Sequence, residues 1–446
     1  MAAEAPAPTA VVETAKRFLA SFLRPTRILV AVSGGSDSKG LLLALNEAIE
    51  AAEPKRFSLA ACTVDHALRP ESAEEARGVA AFCASIDVPH LILRWDGAKP
   101  PTGIQAAARE ARYRLLADAA ERFEAGCIVT GHTSDDQCET ILMRTQRAQG
   151  PGASGMASAT LYDRRVWVLR PFLSLDRASI RAFLATRDVT WFDDPSNANP
   201  TFERVRVRTE LAQSPRAEEG AWDAGARARS SARAAGFLTR LVRVHSGLVV
   251  EIPLDLADYR DNVDWQRALL ALVAVVGGRA HIPAADTVKR VAVFLQEATP
   301  GRMTAGRCVF DLRASGLYLY REARGLTTLM LAGGKSGTWD GRFQVHNGAS
   351  MPISVAAEGR GGPQQQRLIA AGLPPGVAGR ASLAAPKVLS GNGESVASVT
   401  IEPRIGLYDT FLPGFDRIMA DRIAGLFGRE PYPPPPVHDL LTEMER

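Results

Sequence analysis

The stretch VAVSGGSDSKG, residues 30–40, begins inside the apolar run RILVAVS and ends inside the helical pattern SKGLLLALNEAIEAA. This order predicts a strand, a turn rich in glycine and serine, and then a helix. At such a turn the first N–H groups of the helix have no backbone partner, and glycine lets an anion approach the main chain closely. The stretch therefore predicts an α/β fold with a phosphate site at the carboxyl end of its first strand.

The spacing of the turn residues narrows the kind of phosphate loop. A Walker A loop requires GxxxxGK[ST], but Leu41 follows Gly40, the glycine correctly spaced from Gly35, and no GxGxxG is present for a Rossmann turn. The pattern SGGxDS remains, and it resembles the pyrophosphate loop of the N-type ATP pyrophosphatases. Asp37 offers the hard oxygen ligand that Mg²⁺ prefers. The resemblance assigns ATP binding to Ser33, Gly34, Gly35, Ser36, Asp37 and Ser38.

The N-terminal half continues to alternate apolar runs with helical patterns. The runs FSLAACTVD, HLILRW and CIVTGH predict further strands of a doubly wound parallel sheet, with ligands bound at the strand carboxyl ends. We assign residues 1–215 to this catalytic domain. Residues 216–332 are predicted to form a mainly helical α+β middle domain. A shift to Gly, Pro and Val predicts a small β-rich domain over residues 338–446.

Composition excludes several classes of protein. The chain has 446 residues, which exceeds what one hydrophobic core usually supports, and its longest apolar stretch, residues 268–276, is too short to span a bilayer. The first ten residues lack the pattern of a secretory signal. Five cysteines without a CxxC pair argue against a disulfide framework, a structural zinc site or an iron–sulfur cluster. We therefore expect a cytoplasmic protein with no membrane partner.

The basic residues are mostly arginine, and the pI is about 8.8. Arginine suits the recognition of phosphates and bases, but GC-rich codon usage would produce the same bias. Only local clusters of arginine therefore count as evidence for nucleic-acid binding.

A second polar segment, GHTSDDQCET at residues 131–140, follows the strand CIVT. Asp135 and Glu139 are four residues apart and share one helix face, as do Asp136 and Thr140. Such carboxylates could share Mg²⁺ with Asp37 or accept a proton from an attacking amine. The alternative is a capping cluster with a solvated acidic face. Its position at a strand carboxyl end, in the domain that contains SGGSDS, favours the catalytic interpretation.

Four further segments extend the likeness to one family. These are VDHALRPESAEEA, GIQAAAREARYRLL, GHTSDDQCET and DDPSNANPTFERVRVR. Together with the ATP loop they cover roughly residues 25–210 in the order typical of the tRNA(Ile)-lysidine synthetase family, which the chain resembles. Beyond residue 220 the likeness is weaker, although GRCVFDLRASGLYLYREAR is similar to the family's middle domain.

The resemblance implies a reaction. In this family, the C2 oxygen of the wobble cytidine of a CAU-anticodon isoleucine tRNA attacks the α-phosphate of ATP and releases pyrophosphate. The ε-amine of free lysine then attacks C2 and displaces AMP, giving lysidine. The implied cofactors are ATP and Mg²⁺, and the implied partners are the tRNA, bound in part by the second and third domains, and L-lysine. The sequence leaves the oligomeric state open, with a homodimer as one option.

The resemblance also implies roles for particular residues. Asp37 and Glu139 would lie near the metal, and Asp136 would position or deprotonate the lysine amine, although the separate roles of Asp135 and Asp136 stay open. The remaining candidates are catalytic His132 and Arg204, and the tRNA or substrate contacts Arg109, Arg112, Arg206 and Arg208. For His132 and the arginines, packing or solvation at the surface is the structural alternative.

Three other functions share part of this pattern. A thiouridine or thiocytidine synthetase uses the same loop but needs catalytic or cluster cysteines. An amidating ligase of the GMP or NAD synthetase type normally has an ammonia source or a glutaminase domain. A tRNA-binding protein without activity would not need Asp37, Asp136 and Glu139 intact, and ATP–pyrophosphate exchange separates it from an enzyme.

Overall fold

The structure is a computed structural model that describes residues 8–53, 55–146, 155–193, 203–213, 224–253, 261–390 and 398–438. The chain forms two compact units, one of residues 1–225 with 433–446 and one of residues 226–432. The division into three domains, over residues 1–215, 216–332 and 338–446, stays a prediction.

The described part of the first unit alternates helices and strands, as its sequence predicts. Its elements are α1 (Pro8–Ala20), β1 (Thr26–Ala31), α2 (Ser36–Glu50), β2 (Phe57–Asp65), α3 (Ser72–Ser85), β3 (His90–Arg94), α4 (Ile104–Arg122), β4 (Cys127–Thr130), α5 (Ser134–Gln146), β5 (Ala159–Tyr162), β6 (Val166–Leu169), α6 (Arg177–Ala185) and α7 (Glu203–Gln213).

The strands of this unit lie in the order β5-β6-β4-β1-β2-β3. Pairing is parallel between neighbours from β6 to β3, whereas β5 is antiparallel to β6. Ile28, Leu29 and Val30 of β1 are fully buried because helices cover both faces of the central strands. The chain leaves β1 toward β2 and later returns on its other side as β4. This reversal places the β1 and β4 carboxyl ends together, where ligands bind in such sheets.

The end of the chain also belongs to the first unit. Phe22, after α1, forms an isolated antiparallel bridge with Val437, and the backbone N–H of Leu23 donates to the carbonyl of Pro436 at 3.0 Å. The indole N–H of Trp167 donates to the carbonyl of Pro433 at 3.1 Å. The proline-rich segment PPPPV, residues 433–437, is thus held by hydrogen bonds to its carbonyl groups, because proline cannot donate one.

The second unit begins within α8 and combines helices with antiparallel strands. Its described elements are α8 (Ala224–Leu241), β7 (Arg243–His245), β8 (Val249–Ile252), α9 (Val263–Val276), α10 (Ala285–Glu297), β9 (Gly301–Ala305), β10 (Cys308–Arg313), β11 (Gly316–Arg321), β12 (Leu329–Leu331), β13 (Ser336–Trp339), β14 (Phe343–Asn347), β15 (Ile353–Ala357), α11 (Pro363–Ala370), α12 (Pro375–Ala381), β16 (Pro386–Ser390), β17 (Val399–Pro403), β18 (Phe411–Pro413) and α13 (Arg417–Leu426).

Three antiparallel sheets organise these elements, in the orders β7-β8-β11-β10-β9, β12-β15-β16 and β13-β14-β17. A buried cluster that includes Tyr318, Tyr320, Trp339 and Phe343 packs between them. The fold class expected from the sequence is confirmed: a parallel α/β sheet, a helical α+β middle region and a β-rich C-terminal region. The last region also contains the helices α11, α12 and α13. None of the helices in the described part of the chain combines the length and apolar character needed to cross a membrane.

Candidate active site

The loop between β1 and α2 is held by its own hydroxyl groups. The Ser38 hydroxyl accepts from the backbone N–H of Ser33 at 3.1 Å and donates to the carbonyl of Gly35 at 3.1 Å. Gly34 has φ +88°, a left-handed conformation that is strained for other residues, and Gly35 precedes the first residue of α2. The loop therefore presents the N–H groups at the start of α2 outward, which is the geometry of an anion site.

The second polar segment packs directly against this loop. A Cβ atom at Gly131 would lie 2.5 Å from the carbonyl oxygen of Asp37, so only glycine fits where β4 ends beside α2. α5 begins three residues later at Ser134 and places Asp136 and Glu139 in its first two turns. The adjacency that the parallel strands β1 and β4 impose thus brings the two predicted motifs into one site.

Asp136 is buried and surrounded by donors. Its Oδ2 accepts from the Thr133 backbone N–H at 2.9 Å, and its Oδ1 lies 2.8 Å from Arg204 Nη2 and 3.3 Å from Arg177 Nη2. Burial raises the pKa of Asp136, and this effect exceeds the opposite effects of Arg204 and the Thr133 N–H. A carboxyl group with a raised pKa is better suited to proton exchange near neutral pH than an ordinary aspartate.

Glu139 is almost fully buried and bonds to arginine through both oxygens. Arg204 Nε lies 2.6 Å from Oε2, and Arg208 Nε lies 2.7 Å from Oε1. Burial alone would raise the pKa of Glu139, but hydrogen bonds from Arg208 and Arg204 bring it below its usual value. Glu139 therefore fixes both arginines of α7 toward the start of α5.

Arg177, the first residue of α6, was not among the expected site residues, although it joins the two motifs. Its Nε lies 2.9 Å from Asp37 Oδ2, its Nη2 reaches Asp136, and its backbone N–H donates to Asp135 Oδ2 at 2.8 Å. Arginine at the N-terminus of a helix opposes the helix dipole, which indicates a carboxylate partner. The sequence shows an arginine at this position, but it does not identify the partner, Asp37, which is 140 residues away.

The expected catalytic residue His132 lies just before α5, in the same segment as Asp136 and Glu139. Its Nδ1 is 2.8 Å from the Thr130 hydroxyl. Burial lowers the pKa of His132 well below its usual value, and the positive charges of Arg170 and Arg112 lower it further. The ring is therefore neutral at neutral pH and can donate or accept a hydrogen bond but adds no positive charge.

The other expected arginines have different surroundings. Arg109 and Arg112 on α4 both lie close enough to His132 to lower its pKa, and the guanidinium of Arg109 is 5.0 Å from the centre of the Tyr113 ring. Arg206 is exposed on α7, on the side away from Arg204 and Arg208, because residues two apart point in opposite directions. The structure therefore places Arg204 and Arg208 on the carboxylates of α5, and Arg109 and Arg112 near His132.

Comparison with known proteins agrees with these motifs. A family model described as a PP-loop domain matches residues 8–214. The tRNA(Ile)-lysidine synthase of Rhizobium meliloti (strain 1021) is 57% identical over 452 residues, covering 98% of this chain and 100% of that protein. The enzymes of Mesorhizobium japonicum and Brucella canis are 39% and 34% identical and cover 92% and 91% of this chain, and 94% and 95% of their own.

The chain belongs to the tRNA(Ile)-lysidine synthase family. The resemblance inferred from the five motifs is confirmed, and with it the enzyme class, an ATP-using ligase of tRNA modification that forms lysidine at the wobble cytidine. The alternatives of a sulfur-inserting synthetase, an amidating ligase and an inactive tRNA-binding protein are set aside.

Two segments with expected roles in tRNA(Ile)-lysidine synthases lie outside the described residues. These are residues 147–154, which contain the first part of the Gly-rich stretch AQGPGASGMAS at residues 148–158, and residues 194–202, which contain most of the DDPSN segment. The described residues around them still define the positions of α5, α6 and α7.

Asp37 is the residue in the described part of the site that suits the Mg²⁺ expected in a tRNA(Ile)-lysidine synthase. No group of three or more His, Cys, Asp or Glu side chains that could hold a metal ion occurs among the described residues. Mg²⁺, however, binds through one or two carboxylates together with phosphate oxygens of the nucleotide. Asp37 fits that pattern because its carboxylate, bonded by the Ser36 hydroxyl at 2.9 Å, adjoins the phosphate loop.

Proposed function

We propose that the site joins free L-lysine to C2 of the wobble cytidine of isoleucine tRNA with a CAU anticodon, using Mg-ATP. The observation that supports this assignment is the convergence of Asp37 and Asp136 on one guanidinium, Arg177, beside the phosphate loop. One carboxylate adjoins the place for ATP, and the other is a buried group suited to an amine. Two consecutive reactions on one cytidine need these groups side by side.

The first step is adenylation of the cytidine. Residues 33–38 hold the triphosphate with their N–H and hydroxyl groups. The cytidine O2 attacks the α-phosphorus, the bond from this phosphorus to the bridging oxygen of the β-phosphate breaks, and pyrophosphate leaves. Mg²⁺ bound at Asp37 would neutralise phosphate charge when present.

The second step is attack of lysine on C2. Asp136 pairs with the ε-ammonium group and accepts one of its protons, and the resulting amine then bonds to C2 through its lone pair. The bond from C2 to the former O2 breaks, and AMP leaves with that oxygen. The raised pKa of Asp136 suits this proton exchange.

The arginines of α7 act on the adenylated cytidine. Arg204 and Arg208, oriented by Glu139, contact phosphate of the intermediate or of the tRNA, and Arg206 contacts tRNA from the outer side of α7. Arg109, Arg112 and the neutral His132, which lie near one another, contact ATP or the anticodon loop in this proposal. The metal role expected for Glu139 stays a prediction that requires one of its two ion pairs to open.

A cytoplasmic location and a homodimer also belong to this proposal. ATP, free lysine and tRNA are all available in the cytoplasm. Light scattering during size-exclusion chromatography distinguishes a dimer from a single chain of 47.8 kDa.

The test uses the full chain with Mg-ATP, isotope-labelled lysine and a transcript of isoleucine tRNA bearing CAU, followed by mass spectrometry of the digested nucleosides. We expect labelled lysine on cytidine with this tRNA and none with methionine tRNA. Pyrophosphate release without labelled cytidine would assign a different nucleophile. Absence of ATP turnover with both tRNAs would contradict the proposal.

A further inference from the structure

The lysine inside the loop segment does not face the phosphates. Lys39, in SGGSDSK, is 5% exposed, and its Nζ donates to the carbonyl of Thr190 at 2.9 Å. Nζ also lies 5.1 Å from the centre of the Phe82 ring and 5.2 Å from that of Phe192. This ammonium group holds residues 190–192 against the start of α2. The positive charge of Lys39 is therefore already engaged by these contacts.

Two arginines of α6 are turned toward the loop instead. Arg177 and Arg181 are four residues apart and share one helix face. Arg177 bonds to Asp37, as described, and Arg181 Nε donates to the hydroxyl of Ser36 at 3.4 Å. The two guanidiniums thus lie beside two consecutive residues of the phosphate loop, Ser36 and Asp37.

The segment that Lys39 holds in place also contacts the side chain of Arg181. Arg181 Nη2 lies 2.8 Å from Asp193 Oδ1, and the guanidinium is 5.4 Å from the centre of the Trp191 ring. The Arg181 side chain is 42% exposed and the Asp193 side chain 71% exposed, so this ion pair is accessible to solvent. An exposed pair contributes little to stability and is readily exchanged for a stronger anion.

We propose that Arg177 and Arg181 form the second wall of the polyphosphate site and bind the β- and γ-phosphates of ATP and the pyrophosphate that leaves. The proposal rests on the assignment of ATP to residues 33–38. Backbone N–H groups and a helix N-terminus supply only partial positive charge. Two planar guanidiniums offer paired donors to the terminal phosphates, which have most of the charge of ATP.

The test compares the binding of three probes, ATP, inorganic pyrophosphate and AMP, to the full chain by titration calorimetry in the presence of Mg²⁺. Arg181→Ala is expected to weaken ATP and pyrophosphate by about tenfold or more, the usual range for a lost charge-assisted hydrogen bond, and to leave AMP unchanged. Arg177→Lys is expected to weaken the same two probes while preserving a positive charge beside Asp37.

The matched control is Arg187→Ala. Arg187 follows α6 and pairs with Glu47 at 2.6 Å, away from the loop, so its loss should leave all three affinities unchanged. Asp193→Asn releases Arg181 from its carboxylate and is expected to leave ATP binding unchanged or to strengthen it.

Equal weakening of ATP and AMP by Arg181→Ala would overturn the proposal, because the contact would then not involve the terminal phosphates. Unchanged ATP and pyrophosphate affinities would overturn it as well and leave Arg181 as a surface ion pair. Lysidine formation by the unmodified chain is measured in the same preparations. If it fails while ATP binding still depends on Arg181, the proposed function fails and this inference stands.

Discussion

Two clusters of arginines and carboxylates, one in each unit, differ in charge balance and in exposure. In the first unit, the active-site cluster pairs three carboxylates with three guanidiniums: Asp37, Asp136 and Glu139 with Arg177, Arg204 and Arg208. The carboxylates are mostly buried, whereas the Arg204 side chain is 44% exposed. A substrate can therefore reach the arginines of this cluster without unfolding the site.

In the second unit, the Asp340 cluster places three arginines on one carboxylate. Arg321 bonds to both oxygens of Asp340 at 3.0 Å, Arg342 Nε lies 2.6 Å from Oδ2, and Arg307 contacts Oδ1. Asp340 lies between β13 and β14, and Arg321 ends β11, so the cluster ties two sheets together. Arg321 and Arg342 are buried and present no donors to a ligand.

The number of ion pairs therefore does not distinguish a functional site from a structural ion cluster. The exposure of the guanidinium groups to solvent distinguishes them. Substitutions in the active-site cluster should therefore change catalysis more than stability, and substitutions in the Asp340 cluster should do the reverse.

A loss of both reaction steps is expected from Asp37→Asn, which retains the size of the side chain and removes its charge. Loss of one electrostatic element at a phosphoryl-transfer site reduces kcat by about 10²–10³-fold. Pyrophosphate release and lysidine formation, measured in one assay, should fall together. Continued pyrophosphate release by this variant would exclude Asp37 from the first step.

Asp340→Asn tests the opposite side of the comparison. Removal of one partner from a buried ion cluster costs about 3–5 kcal/mol of unfolding free energy, because the guanidiniums are left uncompensated. Calorimetry should show a lowered unfolding temperature, while the affinity for ATP is retained. The control is Asp96→Asn, whose 81% exposed side chain lies 3.7 Å from Arg94 and should change the unfolding temperature little. Equal stabilities of the two variants would remove the distinction between the clusters.

A smaller effect on catalysis is expected from Arg204→Lys. Lysine retains the charge but cannot bond to Asp136 and Glu139 at once as the planar guanidinium does. We expect kcat to fall by about tenfold, a loss of one charge-assisted hydrogen bond, with the unfolding temperature nearly unchanged. Arg165→Lys, an exposed residue paired with Glu121, is the control. A wild-type kcat in Arg204→Lys would mean that charge alone suffices.

The smallest effect is expected from Lys39→Met and depends on pH. Burial lowers the pKa of Lys39, so the folded chain releases this proton at a lower pH than the unfolded chain does. The unfolded state then binds more protons, and the stability contributed by Lys39 rises with pH as pH approaches 10.5. Urea unfolding of both proteins at several pH values should show that the unfolding free energy of the unmodified chain rises with pH relative to that of Lys39→Met. A difference that is constant with pH would contradict the lowered pKa.

The alternating strands and helices of the first unit and its two polar motifs are predictable from the sequence, because their signals are local. SGGSDS and GHTSDDQCET each follow an apolar run, and the parallel order of β1 and β4 brings the two loops together. The family assignment followed from the same short segments.

Other features depend on contacts between distant residues. Arg177 meets Asp37 across 140 positions, and RASIRAFL has the pattern of an ordinary amphipathic helix. The sequence offers no sign that two arginines 65 and 69 residues after Glu139 bond to it, and the metal role of Glu139 stays a prediction. In the C-terminal region, Pro363 and Pro375 begin α11 and α12, a position that proline favours, but the glycine-rich context concealed both helices.

The central claim is that one site performs two separable steps, with Asp136 serving the second. The most direct measurement is a single-turnover reaction of Asp136→Asn with Mg-ATP, lysine and the CAU isoleucine tRNA, in which pyrophosphate, adenylated tRNA and lysidine are each quantified. We predict that pyrophosphate is released and adenylated tRNA accumulates, while lysidine formation falls by about 10²–10⁴-fold, the usual contribution of a general base. Lysidine formed at the rate of the unmodified chain would contradict the claim.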